Sequence, residues 1–126
     1  MKPRVILSLI LAIISFFVGH AKPTWKAGDI SQMKIWDQAF VVTRTMSAGA
    51  ELEAVVAGMR AAKEVASARE GHPWTHKLDF DGNEQGTQRW LYDATSGEFT
   101  SLSKLATPIY RLDDDARRIL NAAASP

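Results

Sequence analysis

The chain has 126 residues with 15 Lys and Arg, 14 Asp and Glu and no Cys, and 46% of its residues are hydrophobic. The absence of Cys excludes disulfides, thiolate metal sites, a Cys nucleophile and lipid attachment to Cys. The near-neutral charge gives no support to nucleic-acid binding, and the length and composition indicate one folded domain rather than a disordered chain.

Residues 1–21 have the pattern of an export signal. Two basic residues precede an apolar run from Val5 to Val18, and Gly19 and Ala21 place small side chains where a signal peptidase cleaves. As a helix this run would span about 21 Å, which is less than the roughly 30 Å of a bilayer core. We therefore predict a cleaved signal peptide, with an uncleaved membrane anchor at residues 5–19 as the alternative.

Removal of this segment changes the charge of the chain. Residues 1–21 hold two basic and no acidic residues, so residues 22–126 form a single 105-residue domain with a formal charge of −1. A charge this small argues against polyanion binding and against electrostatic attachment to a membrane. We predict a periplasmic or extracellular protein without a nucleic-acid partner, which meets a membrane only through an uncleaved N-terminal segment.

The first half of the domain is predicted to form a strand and a long helix. Phe40–Thr45 is typical of a strand, whereas Gln32–Gln38 fits either a strand or a short helix. From Ala50 onward, apolar residues recur at three- and four-residue spacing and predict an amphipathic helix that Gly71 and Pro73 end. Its apolar stripe consists of Leu52, Val55, Val56, Met59, Ala62 and Ala66.

In the second half the hydrophobic period changes to two, which is typical of strands. Trp74–Phe80 is predicted as a strand and Asp81–Gly86 as a turn. Arg89–Asp93 and Glu98–Ser103 are predicted to form a hairpin, in which Gly97 supplies the positive φ of the short loop.

The last predicted elements are a short strand at Pro108–Leu112 and a helix capped by Asp113. Because the connections have hairpin length, we predict an α+β fold: a small antiparallel sheet of three to five strands with one or two helices packed on one face. The core candidates are Trp74, Leu78, Phe80, Trp90, Tyr92, Phe99, Leu102, Ile109 and Leu112.

Two residue spacings resemble metal-binding motifs but lack ligands or distances that such motifs require. The sequence DFDGN from Asp79 begins like a calcium loop, but Glu84 and Trp90 stand where an EF-hand needs Gly and Glu. His72 and His76 would lie about 13 Å apart along a strand and could not share a metal. We predict no metal and no cofactor.

Catalytic motifs are missing from the sequence as well. It contains no nucleophile elbow, no glycine loop for phosphate and no recognisable Ser, His and Asp spacing. The absence of motifs lowers the odds of catalysis without excluding it. If the domain is a small exported hydrolase-type enzyme, its acid–base residues are expected to be Asp79, Asp81 and His76.

The function that these patterns favour is a small exported protein-binding module, such as an inhibitor, an immunity-type protein or an accessory envelope protein. The predicted contact is the hairpin, with Arg89, Trp90, Tyr92 and Phe99 meeting another protein, because Arg and aromatic residues dominate interface energies. Trp90 and Tyr92 share one side of their strand and Leu91 takes the other, so only one of these sides can face the core. The alternatives are the enzyme and a membrane-tethered structural component.

Overall fold

A computed structural model of the chain describes residues 23, 25–66, 68, 70–82, 86–102 and 108–125. These residues form one seven-stranded antiparallel sheet and two α-helices. The predicted signal peptide falls on residues 1–21, outside the described ranges. Within those ranges, no helix is both long enough and apolar enough to cross a membrane.

The elements follow one another with short connections. In chain order they are a 3-10 turn at Ala27–Asp29, β1 (Ile30–Trp36), β2 (Val42–Ser47), α1 (Ala50–Ala61), β3 (Lys63–Val65), β4 (His76–Gly82), β5 (Gly86–Asp93), β6 (Glu98–Ser101), β7 (Ile109–Arg111) and α2 (Asp114–Ala124). The strands lie side by side in the order β2–β1–β4–β5–β6–β7–β3. Because β2 and β3 are the two edges, α1 carries the chain from one edge of the sheet to the other.

Both helices cover the same face of the sheet. Cross-strand partners point to the same side, so the pairs Leu78–Trp90 and Tyr92–Phe99 put four large side chains on one face. The helix residues buried in the same core are Leu52, Val55, Val56 and Met59 of α1 and Ala116, Leu120, Ala123 and Ala124 of α2. No helix of the described residues lies on the other face of the sheet.

The predicted sheet of three to five strands is wrong, because the sheet has seven. One reason is that Gln32–Gln38 lies mostly within a strand of its own, β1, which turns back into β2 near Phe40. Neither Gly nor Pro marks this turn, and a β-branched run continues directly after it. The hydrophobic pattern therefore merges two strands that hydrogen-bond to each other.

A second reason is that the predicted helix from Ala50 to Gly71 is too long. The helix α1 ends at Ala61, Ala62 has an extended backbone with φ −63° and ψ 150°, and Lys63–Val65 forms β3. β3 pairs with β7, whose backbone takes the place of the helical hydrogen bonds. Ala66, assigned to the apolar stripe, is exposed.

Several local predictions are confirmed. The chain is Cys-free and α+β, Gly97 has φ 79° in the loop between β5 and β6, and the Asp113 carboxylate accepts the N–H of Ala116 at 2.8 Å as an N-cap. Two core candidates are not core residues, because Trp74 is half-buried and Leu102 is exposed. The other seven are buried.

Candidate functional site

The residues predicted to bind a partner lie on both faces of the β5–β6 hairpin. Trp90, Tyr92 and Phe99 point toward the helices and are at most 3% exposed, and the Trp90 and Phe99 rings meet edge to face with centroids 5.7 Å apart. Arg89 points to the other face, where its guanidinium donates to both carboxylate oxygens of Asp79 at 2.7 and 3.0 Å. That the hairpin binds a partner stays a prediction, with Arg89 as its one exposed contact residue.

The Tyr92 side chain shows how completely the helices cover this hairpin. Its hydroxyl donates to the Asn121 amide oxygen at 2.6 Å, and that amide in turn donates to the Ala94 carbonyl at 2.8 Å. Burial raises the pKa of Tyr92 well above its usual range. The hydroxyl is thus a neutral structural link between β5 and α2.

The three acid–base candidates do not form a common site. Asp79 and Asp81 point to the face without helices, whereas His76 pairs with Tyr92 on the helix side. Hydrogen bonds from Thr87 and Gln32 hold the pKa of Asp81 below its usual range. In the part of the chain that the structure describes, no group of three His, Cys, Asp or Glu residues could hold a metal ion.

A buried polar cluster lies at one end of the face without helices. His72 Nε2 is 3.2 Å from Asp93 Oδ2 and 3.9 Å from Glu98 Oε2, and Arg111 lies 3.2 Å from Glu98 Oε1. The Ser96 hydroxyl donates to Asp93 at 2.9 Å rather than to His72. The cluster therefore fastens the segment around His72 to the sheet and does not align a nucleophile with a base.

The turn between β1 and β2 presents apolar side chains to solvent. Asp37 Oδ1 accepts the N–H groups of Ala39 and Val41 at 2.8 and 3.0 Å, and Phe40 has φ 60°. Phe40 is 66% exposed, Val41 55% and Val42 37%. Three of the four exposed large hydrophobic residues in the described ranges are thus consecutive, and we call Phe40, Val41 and Val42 the Phe40 patch.

A groove of about 190 Å³ adjoins the Phe40 patch. Its lining residues are Asp37, Gln38, Phe40, Trp74, Thr75, His76, Lys77 and Leu91. The Lys77 ammonium lies 4.0 Å from the centre of the Phe40 ring, which is a cation–π contact. Trp74 stacks on His72 with ring centroids 3.9 Å apart, so the buried polar cluster also positions one wall of this groove.

The sequence does not indicate that Phe40 and Trp74 form a surface site, because both lie in segments that its pattern predicts to be strands. The available signal was Asp37, since an Asp side chain that bonds to the following backbone marks a turn even without Gly or Pro. Comparison with family models, with curated proteins and with solved structures finds no match to this chain.

Proposed function

We propose that the protein is a small exported protein-binding module that contacts its partner through the Phe40 patch and the adjoining groove. The observation that supports this most strongly is the exposure of three consecutive large apolar side chains at an ordered turn. Contiguous apolar surface on a soluble domain is typical of sites that meet another protein. Single exposed apolar residues, such as Leu102, need no such explanation.

The backbone of Phe40 supports the same proposal. A residue with a β-carbon in the left-handed region costs about 1–2 kcal/mol relative to the ordinary helical region, and glycine avoids this cost. The turn nevertheless places a Phe there, with its ring mostly in solvent. Because unfavourable backbone conformations concentrate at functional sites, a ring held in this way is best explained by a contact that it makes with a partner.

The Phe40 patch lies at the end of β1 opposite to the end where the chain enters the sheet. β1 begins at Ile30 and ends at Trp36, a distance of about 20 Å at roughly 3.3 Å per residue. The chain reaches the sheet at the Ile30 end, and the Phe40 patch follows the Trp36 end.

Affinity capture with matched surface variants tests this proposal. The purified protein is immobilised and exposed to envelope or culture extract, beside a Phe40→Ser/Val41→Ser variant and a Leu102→Ser control. We expect the wild type and the control to retain the same protein and the patch variant to lose it, with equal melting temperatures for all three. Equal capture by the patch variant overturns the proposal. Loss of capture with Arg89→Ala alone would assign the contact to the hairpin instead.

A further inference from the structure

We propose that the groove beside the Phe40 patch binds a short peptide segment of the partner in which an apolar side chain stands next to an Asp or Glu. This inference rests on the proposed function, since it assumes that the groove lies within the binding surface. Two features of the groove carry it. One is the apolar character of its walls, and the other is Lys77 at its rim, which belongs to none of the ion pairs among the described residues.

The walls of the groove suit one apolar side chain. Phe40, Trp74 and Leu91 contribute two aromatic rings and an aliphatic side chain to its lining. The volume of about 190 Å³ is well below the roughly 300–1,000 Å³ of sites that enclose drug-sized ligands. A single inserted side chain fills such a space, whereas a helix laid into a groove needs several anchor positions in a row.

The charge at the rim comes from Lys77. Its ammonium lies over the Phe40 ring, and none of the ion pairs among the described residues includes it. The Asp37 carboxylate also lines the groove, but its Oδ1 accepts two N–H groups of its own turn. No described ion pair joins Asp37 to Lys77, so a carboxylate on the bound peptide can pair with the ammonium without displacing an existing partner.

The other titratable group of the groove does not add positive charge at neutral pH. Burial lowers the pKa of His76 more than the nearby Asp37 carboxylate raises it, so the imidazole is neutral there. The Thr75 hydroxyl lies 2.7 Å from His76 Nδ1, which occupies one of the two ring nitrogens. Lys77 is then the group that selects the charge of the residue beside the inserted side chain.

A displayed library of random short peptides tests this selection directly. It is panned in parallel on the wild type, on Lys77→Glu, on Phe40→Ser and on Lys63→Glu, which reverses an exposed charge on the distant edge strand β3. We expect the wild type and Lys63→Glu to enrich an apolar residue beside Asp or Glu. Lys77→Glu should instead enrich an apolar residue beside Lys or Arg, and Phe40→Ser should enrich no sequence.

Fluorescence anisotropy with the enriched peptide then gives the size of the effect. Lys77→Glu should weaken its binding at least 10-fold, which corresponds to about 1.4 kcal/mol. Lys77→Gln, which removes the charge without reversing it, serves if the Glu variant melts at a lower temperature than the wild type. The Lys77→Gln variant should abolish the preference of the groove for peptides with acidic residues.

Three outcomes overturn the inference. They are no enrichment on the wild type, an apolar consensus without a charged neighbour, and an acidic consensus that Lys77→Glu leaves unchanged. If any of these occurs while extract capture still depends on Phe40, the partner uses the patch in another way and the proposed function stands. If capture does not depend on Phe40 either, both proposals fall together.

Discussion

Two hairpins of this protein are rich in aromatic and β-branched residues, and they end in opposite environments. The β5–β6 hairpin places Trp90, Tyr92 and Phe99 under both helices, whereas the β1–β2 hairpin leaves Phe40 and Val41 in solvent. The two sequences do not differ enough in apolar content to predict this. Both hairpins contribute to the core under the helices, since Met33, Ile35 and Met46 of β1 and β2 are buried there. The difference is that the turn residues Phe40 and Val41 lie outside this core.

The turns of the two hairpins differ in the same direction. The buried hairpin uses Gly97 with φ 79°, which glycine adopts without steric cost, and the exposed hairpin uses Phe40 with φ 60°. In the β5–β6 hairpin, both the turn glycine and the buried aromatic side chains therefore stabilise the fold. The exposed hairpin keeps a less favourable residue at the position where a partner could reach it.

The sharpest test of this contrast truncates one ring in each hairpin. Phe99→Ala should lower the free energy of unfolding by about 3–5 kcal/mol, because it leaves a cavity in a packed core. Phe40→Ala should change it by no more than about 1 kcal/mol, because the ring is mostly solvated and its cation–π contact with Lys77 is exposed. Denaturant unfolding of both variants measures the difference. Similar losses for the two would show that the Phe40 ring is packed after all.

The close contact between the helices that cover the buried hairpin can be broken at Gly58. A β-carbon added there would overlap the Ala116 β-carbon of α2, so Gly58→Ala should destabilise the fold by about 1–3 kcal/mol. This loss outweighs the roughly 1 kcal/mol by which Ala is the better helix former. Gly28→Ala is the matched control, since an added carbon at Gly28 meets no neighbour. A stabilised Gly58→Ala would mean that α1 and α2 can separate freely.

The backbone cost at the exposed turn can be isolated by comparing two truncations of the same side chain. Phe40→Gly and Phe40→Ala remove the ring equally, but only glycine accepts φ 60° without strain. We expect the Gly variant to be more stable than the Ala variant by up to about 1 kcal/mol, which raises the melting temperature by a few degrees. An Ala variant as stable as the Gly variant would show that the turn relaxes to another conformation.

The smallest expected effect concerns acid sensitivity at the groove. Because burial holds the pKa of His76 below its unfolded value of about 6.5, the neutral form is favoured in the folded state. The stability that this contributes is present above pH 6.5 and is lost as the pH falls through the folded pKa. Denaturant unfolding between pH 7.5 and 5 should therefore show a steeper loss for the wild type than for His76→Gln. Equal slopes would contradict the assignment.

The local features of the fold were predictable from the sequence. The Asp113 cap, the glycine in the β5–β6 loop and the apolar stripe that opens α1 depend on residues within a few positions of one another. Such interactions act in any chain segment with that pattern. Three of the four predicted contact residues are buried, because the helices cover that side of the hairpin and its own sequence does not indicate this cover.

The sequence by itself thus determined the class of the fold, the period of most elements and several of the places where they begin and end. Only the tertiary structure decided that Lys63–Val65 is a strand, because three residues become β3 only when β7 offers hydrogen-bonding groups alongside. Tertiary packing also decided which apolar side chain of β5 faces the core, since Trp90 and Leu91 point to opposite sides and the helices bury Trp90. Phe40 lies outside this core, and its exposure is what makes the β1–β2 turn the candidate site.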